Sequence, residues 1–297
     1  MTIVVPTYNR ADHAQATVDQ LRRQPFRDFE LWLVDQSDPD VAVSNARYVA
    51  QSNDPRLHYL HLAVKNLPNA RNEGLARARG SIVVFIDDDV IVLAADFIGA
   101  HVRAFEDATV GGVTGRHVER TLRMNARRTA CYVSAGGRTI FNLFGAERQE
   151  IDSCKGSNMS FRMAAVRQIG GFDRRTRLLE ETDFSTRLRA AGWRLMFEPE
   201  AELLHLSTPA GGVRDPNPLD AECGRFRSTA YYILKHRGWW GVPSFVATFS
   251  LIALARTARF GAPAAVPRLY RAMFEGFAEA RRGPDQSVPA LSELRES

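Results

Sequence analysis

The chain has 297 residues, 45% of them apolar and 25% charged, which is enough for one large α/β core with or without an appendage and unlike a disordered chain. Its net charge of +5 comes almost wholly from arginine, since only Lys65, Lys155 and Lys235 are lysines, and this suits an anionic substrate or an anionic membrane surface. Nucleic acid is not an expected partner, because no arginine cluster is interleaved with aromatics and no helix-turn-helix or zinc-finger pattern occurs.

In chain order, Ile3-Val4-Val5 reads as a short apolar strand running into Pro6-Thr7-Tyr8-Asn9-Arg10, followed by a helical pattern from Asp12 to Gln24. A second strand, Phe29 to Val34, ends in Asp35-Gln36-Ser37-Asp38. A third, Leu57 to Leu62, precedes a helix that begins near Asn69, read as its N-cap, with Arg71 in the first turn facing an anion. This β-α-β-α alternation argues for a mainly parallel sheet, whose ligands bind beyond the carboxyl ends of the strands. Thr7 and Asp35 sit at such ends.

The next strand, Ile82 to Ile86, ends in Asp87-Asp88-Asp89. Residues i and i+2 of an extended chain face the same side, so Asp87 and Asp89 converge while Asp88 points elsewhere. Adjacent carboxylates repel, and oxygen ligation of this kind suits Mg²⁺ or Mn²⁺ shared with substrate phosphates.

The segment from Gly111 to Asp152 is less legible: a glycine-rich strand, Val110 to Thr114, precedes basic residues from Arg116 to Arg128, and His117 shows no partner. Lys155-Gly156-Ser157-Asn158 and Gly170-Gly171-Phe172-Asp173 bracket a strand and a short helix, with glycines that allow close backbone approach. Glu180-Glu181-Thr182-Asp183 then opens a helix with its carboxylates in the first turn, where they also complement the helix dipole, and Asp183 is spaced to pair with Arg187. Two strand-like runs follow, Gly192 to Pro199 and Ala201 to Leu206, the second carrying His205.

The ordered set Val5-Pro6-Thr7-Tyr8-Asn9-Arg10, Val34-Asp35, Ala70-Arg71-Asn72-Glu73-Gly74 and Ile86-Asp87-Asp88-Asp89 resembles family 2 of the glycosyltransferases, with the GT-A fold. The motifs from Lys155 to Leu206 extend the resemblance to about residues 2–210. It implies a Rossmann-like, mostly parallel sheet flanked by helices, and an inverting, metal-dependent sugar transfer. On this resemblance Pro6, Thr7, Tyr8, Arg10, Asp35, Arg71, Asp87 and Asp88 line the nucleotide-sugar site. Asp89, with Asp87 and His205, holds Mn²⁺ or Mg²⁺. Gly156, Asn158 and Asp183 lie on the acceptor and sugar side. The family's general base usually falls on the second residue of a Glu-Asp pair; this chain has Glu180-Glu181, so Glu181 is the expected base and Glu180 the alternative. A uridine diphosphate sugar is the family's commonest donor, and a cell-envelope glycan, a lipid-linked acceptor or a small molecule would each fit as acceptor.

These readings divide the chain into a catalytic unit over 1–218, with a nucleotide-sugar half over 1–115 and an acceptor half over 116–218, and a helical extension over 219–297. In the extension, Trp239 to Ala255 is strongly apolar and is followed by Arg256 and Arg259, which fits an interfacial helix, a homodimer contact or packing on the core. The three cysteines, Cys131, Cys154 and Cys223, lack metal-ligand spacing, and no signal peptide precedes the first strand, so reduced thiols in the cytoplasm, with peripheral contact at the inner face of the membrane, are the expectation. Two rival classes remain: a haloacid-dehalogenase-like phosphatase, whose Asp-x-Asp would normally lie on the first strand, and a non-catalytic nucleotide-sugar-binding scaffold.

Overall fold

The computed structural model describes residues 1–119, 130–176, 178–208 and 217–283. The basic stretch beyond Glu119, residues 209–216 of the loop expected between Ser207 and Pro218, and the tail after Gly283 lie outside the described residues.

The first part alternates as expected: β1 (Thr2–Thr7), α1 (Ala11–Arg22), β2 (Glu30–Asp35), α2 (Pro39–Gln51), β3 (Leu57–His61), α3 (Leu67–Arg77), β4 (Ile82–Ile86), β5 (Val90–Val92) and α4 (Phe97–Arg103). It continues with β6 (Val110–Glu119), β7 (Ala130–Val133), β8 (Thr139–Asn142), β9 (Gln149–Glu150), β10 (Asn158–Arg162), α5 (Met163–Ile169), α6 (Glu180–Ala190) and β11 (Arg194–His205). Three helices close the described chain: α7 (Pro218–Arg237), α8 (Val242–Arg259) and α9 (Val266–Ala280).

Nine described strands form one sheet in the order β3-β2-β1-β4-β10-β6-β11-β5, with β9 on β11; β7 and β8 make a separate hairpin. The sheet is mixed and mostly parallel, since β3, β2, β1, β4, β6 and β11 share one direction. The antiparallel β10 sits in the middle, with Asn158 registered on Ile86. Its N-terminal end therefore lies on the same rim as the carboxyl ends of β1, β2, β4 and β11.

Alternation along the strands builds two cores. Val4, Phe85, Met159 and Phe161 face one side, against Ala70 and Leu75 of α3 and Phe184 and Leu188 of α6. Ile3, Val5, Val84 and Ile86 face the other, against α1 and α4. Phe172 stacks on Phe184 with ring centroids 4.3 Å apart, beside Phe85 and Phe161. Full burial of each such ring contributes about 1.5–3 kcal/mol, which makes this aromatic floor a rigid support for what lies above it.

Two local readings need correction. The cap of α3 is Asn66, whose side chain accepts the Asn69 amide at 2.9 Å, because Pro68 fits the first turn and lets the helix start earlier. The two runs expected between Gly192 and Leu206 are one strand, β11, whose pairing to β6 shifts register between Glu198 and Leu203; Pro199, without an amide donor, sits in that irregularity.

The three C-terminal helices form a core of their own, in which Phe226, Phe245, Phe249, Leu269 and Phe277 pack together. Leu179, just before α6, packs on this core while its backbone takes the left-handed conformation (φ 73°), which is rare for a bulky residue.

Candidate active site

The end of β4 delivers three carboxylates to the rim in two directions. Asp88 is buried, accepts the Thr7 hydroxyl at 2.7 Å and pairs with Arg10 at 3.1 Å. Burial pushes its carboxyl up to about 6 despite these partners. Asp87 and Asp89 turn the other way, towards His205 at the end of β11, whose Nε2 lies 3.1 Å from Asp89 and 3.6 Å from Asp87. One ligand atom from each of Asp87, Asp89 and His205 lies within 4.8 Å of the other two. Desolvation works against the charge on Asp89, but His205, the Thr208 amide and Arg10 hold its carboxyl below the ordinary range. Its Oδ1 is buried and accepts no well-aligned hydrogen bond. A buried, ionised carboxylate oxygen without an aligned donor, beside a second carboxylate and an imidazole, fits a hard or borderline divalent cation. Ser207 lies 3.1 Å from His205 Nδ1 and orients the ring.

Arg71 lies in the second turn of α3 and is almost wholly buried. Its Nη1 donates to Glu180 Oε1 at 2.6 Å, Nη2 donates to the Gly156 carbonyl at 3.2 Å, and Nη2 stands 3.8 Å from Asp87. The guanidinium sits over Phe172 and Phe85, at 5.5 and 5.9 Å from the ring centres. At Gly156 a Cβ would come within 2.9 Å of Arg71 Nη2, so the glycine makes room for the arginine. Arg71 thus ties the end of β4 to the start of α6.

Glu180 and Glu181 are the first two residues of α6. Glu180 is buried against Arg71; Glu181 is only partly buried. Desolvation and the neighbouring Glu180 charge raise the Glu181 carboxyl well above the ordinary range, with Arg71 and Lys155 opposing the rise. A carboxylate of this kind is a stronger proton acceptor than an exposed one.

Several residues read from the sequence as substrate-facing are satisfied inside the protein. Asp35 is fully buried and accepts from the Ser37 amide, Asn45 and Tyr59. Asn158 is fully buried, donates to the Ala201 and Arg116 carbonyls and meets His101 Nε2 at 2.9 Å. Asp183 faces α7 and lies 2.9 Å from Arg187, 2.6 Å from Lys235 and 2.7 Å from His236. Desolvation opposes its charge, but the hydrogen bond with His236 and the charges of Arg187 and Lys235 hold its carboxyl far below the usual range. Tyr8 lies under Lys65, 3.9 Å from its ring centre, and Pro6 is buried within β1.

Two residues escaped the sequence reading. His117, read there as lacking a partner, meets Ser157 at 2.9 Å and stands 5.1 Å, ring to ring, from His205. Lys155 lies over Phe141 and contributes to the field at Glu181. For His117 the missing signal was the parallel pairing of β6 with β11, because it sends the end of β6 to the same rim.

This sheet order, with an acidic strand end facing a histidine across the rim, is that of the GT-A fold. The mannosyltransferase PcManGT from Pyrobaculum calidifontis, in complex with GDP-Man and Mn²⁺, superposes with a TM-score of 0.56 at 19% identity, over 99% of this chain and 84% of that one. The glycosyl transferase family 2 model matches residues 2–170, and the chain belongs to that family. It is 38% identical over 90 residues to the N-acetylglucosaminyl-diphospho-decaprenol L-rhamnosyltransferase of Mycobacterium tuberculosis, covering 30% of this chain and 28% of the relative. It is 30% identical over 90 residues to the GalNAc(5)-diNAcBac-PP-undecaprenol beta-1,3-glucosyltransferase of Campylobacter jejuni, covering 30% of this chain and 29% of the relative. The matches thus span under a third of the length of these curated relatives.

Proposed function

We propose that this glycosyltransferase moves a sugar from a nucleoside-diphosphate sugar, with inversion, to a hydroxyl of a lipid-linked glycan. The observation that carries the reading is the convergence of Asp87, Asp89 and His205 at one rim, joined through Arg71 to the Glu180–Glu181 pair. Asp87, Asp89 and His205 would hold Mn²⁺ or Mg²⁺, which supplies charge neutralisation at the donor diphosphate. Glu181 removes the proton from the acceptor hydroxyl as its oxygen bonds to the anomeric carbon. The bond from that carbon to the diphosphate oxygen breaks on the opposite face, and the nucleoside diphosphate leaves with the electron pair. Arg71 holds Glu180 in place and keeps a positive charge near the leaving group.

The lipid-linked acceptor is favoured by the two relatives, whose names specify decaprenol and undecaprenol diphosphate acceptors. A uridine nucleotide is the first candidate for the donor. The phosphatase alternative would need Asp87 as its nucleophile at the end of a first strand, whereas Asp87 follows the fourth strand and lies 3.6 Å from His205. The test is thermal stabilisation by UDP, dTDP and GDP with and without Mn²⁺, followed by donor turnover. Stabilisation by one nucleotide only with Mn²⁺ supports the reading. No shift with any nucleotide would sink it, and stabilisation without turnover on any acceptor would favour a binding scaffold.

A further inference from the structure

Helix α8 is exposed along a stripe that water does not explain. Its exposed positions before Arg256 are Pro243, Ser244, Ala247, Leu251, Leu254 and Ala255, and none carries a charge. Leu251 is 70% exposed, and the preceding turn exposes Trp240 to 96%. Beside this stripe, Trp239, Val242, Val246 and Phe274 border an apolar groove of about 390 Å³ between α8 and α9. The stretch Pro218–Arg259 contains an 18-residue window apolar enough to cross a membrane by length and composition, and only 22% of that window is buried.

A spanning helix does not fit. The opposite face of α8, with Phe245, Phe249, Ala253 and Thr257, is buried against α7 and α9, so lipid on all sides would require dismantling that core. A symmetric second copy is disfavoured by charge. Residues 238–283 hold six arginines and two glutamates; Arg256, Arg268 and Arg271 pair with Glu222, Asp220 and Glu275, while Arg259, Arg281 and Arg282 are exposed and in excess. An isologous contact through this surface would bring the excess arginines face to face.

We propose that the Trp239–Trp240 turn and the uncharged stripe of α8 lie in the interface of an anionic bilayer, with Arg259, Arg281 and Arg282 against the headgroups. Tryptophan prefers the boundary between headgroups and acyl chains, apolar side chains beside it enter the chain region, and flanking arginines gain from anionic lipid. The docked surface is mechanically joined to the catalytic unit. Lys235 and His236, at the end of α7 just before the tryptophan turn, bind Asp183 on α6, and Tyr231 and Lys235 bind Asp173. A protein held by α8 therefore presents α6, and with it Glu181, in a defined orientation to the lipid surface. The inference does not rest on the acceptor reading, since vesicle binding needs no turnover.

The test is co-sedimentation of the whole chain with vesicles of phosphatidylcholine alone and with half phosphatidylglycerol, at low and high salt. Binding to the anionic vesicles that weakens with salt is expected. The double variant Trp240→Glu/Leu254→Glu is expected to bind at least about tenfold more weakly, and so is Arg259→Glu/Arg282→Glu. Trp240→Ala alone, at a position with almost no contacts to lose, should weaken binding with unchanged melting temperature, which guards against a folding artefact. Unchanged nucleotide-dependent stabilisation in these variants would separate this proposal from the donor site. Absence of vesicle binding, binding that both double variants retain, or a dimer that these variants disperse without any vesicle binding would overturn it.

Discussion

Two acidic clusters meet at the rim of the sheet, and the protein treats them differently. At the end of β4, Asp89 is compensated by His205, Arg10 and the Thr208 amide, whereas burial raises Asp88 despite Thr7 and Arg10 beside it. At the start of α6, Asp183 is compensated by three cationic or ionisable partners and Glu180 by Arg71, whereas Glu181 has a carboxylate beside it and its cations act from a distance. The contrast separates holding a cation from taking a proton. A carboxyl kept ionised by fixed donors is a good ligand and a poor base; one that is desolvated beside a like charge is the reverse. Arg71, 2.6 Å from Glu180 and 3.8 Å from Asp87, belongs to both clusters.

The sharpest way to break this contrast is at Asp89. Asp89→Ala should lower metal-dependent donor turnover by about 10³-fold or more and abolish Mn²⁺-dependent stabilisation by nucleotide, checked by steady-state assay and thermal shift. Near-normal turnover would remove the ligand role. Glu181→Gln should cost about 10²–10⁴-fold in turnover while nucleotide binding survives. If binding and turnover fall together, Glu181 is not simply a base.

The same residue predicts a pH signature with two signs. Turnover in the wild type should fall as pH drops through the raised Glu181 pKa, because the base must be ionised. Stability runs the other way: a folded-state pKa above the ordinary glutamate value gives a contribution that is full below that unfolded value and is lost as pH rises through the folded one. Glu181→Gln should remove that decline, as urea titrations at several pH values would reveal.

Asp183→Asn tests the compensated side. It leaves Lys235 and Arg187 without their buried counter-charge, and should destabilise the protein by about 3–5 kcal/mol in chemical denaturation at neutral pH. Because the folded Asp183 pKa is depressed, its contribution is present above the ordinary aspartate value and disappears as pH falls through the folded value, so the gap between wild type and variant should close in acid. Ser207→Ala should have the smallest effect on this series, weakening Mn²⁺ affinity about tenfold by freeing the His205 ring while leaving the pH profile assigned to Glu181 in place.

Much of the architecture was legible because it depends on local periodicity. The apolar runs of β1, β2 and β4, the alternating helices and the opposite facing of Asp88 against Asp87 and Asp89 follow from residue spacing alone. So does the Asp183–Arg187 pair, four residues apart on one helix. What stayed hidden depended on distant segments. Whether Asn158 faced a sugar or the His101 side chain turned on where α4 lies relative to β10, and whether Arg71 faced an anion or Glu180 turned on a partner 109 residues away. His117 read as isolated because its neighbours come from β11 and from the segment before β10.

The sequence by itself determined the family, the parallel half of the sheet and the residue types able to bind a cation and a nucleotide, because motif order and apolar period are written along the chain. Only the tertiary structure decided which carboxylates are compensated and which stays basic, and which face of α8 is left outside the core. Both outcomes depend on desolvation and on charges brought together from separate segments, and no local pattern records either.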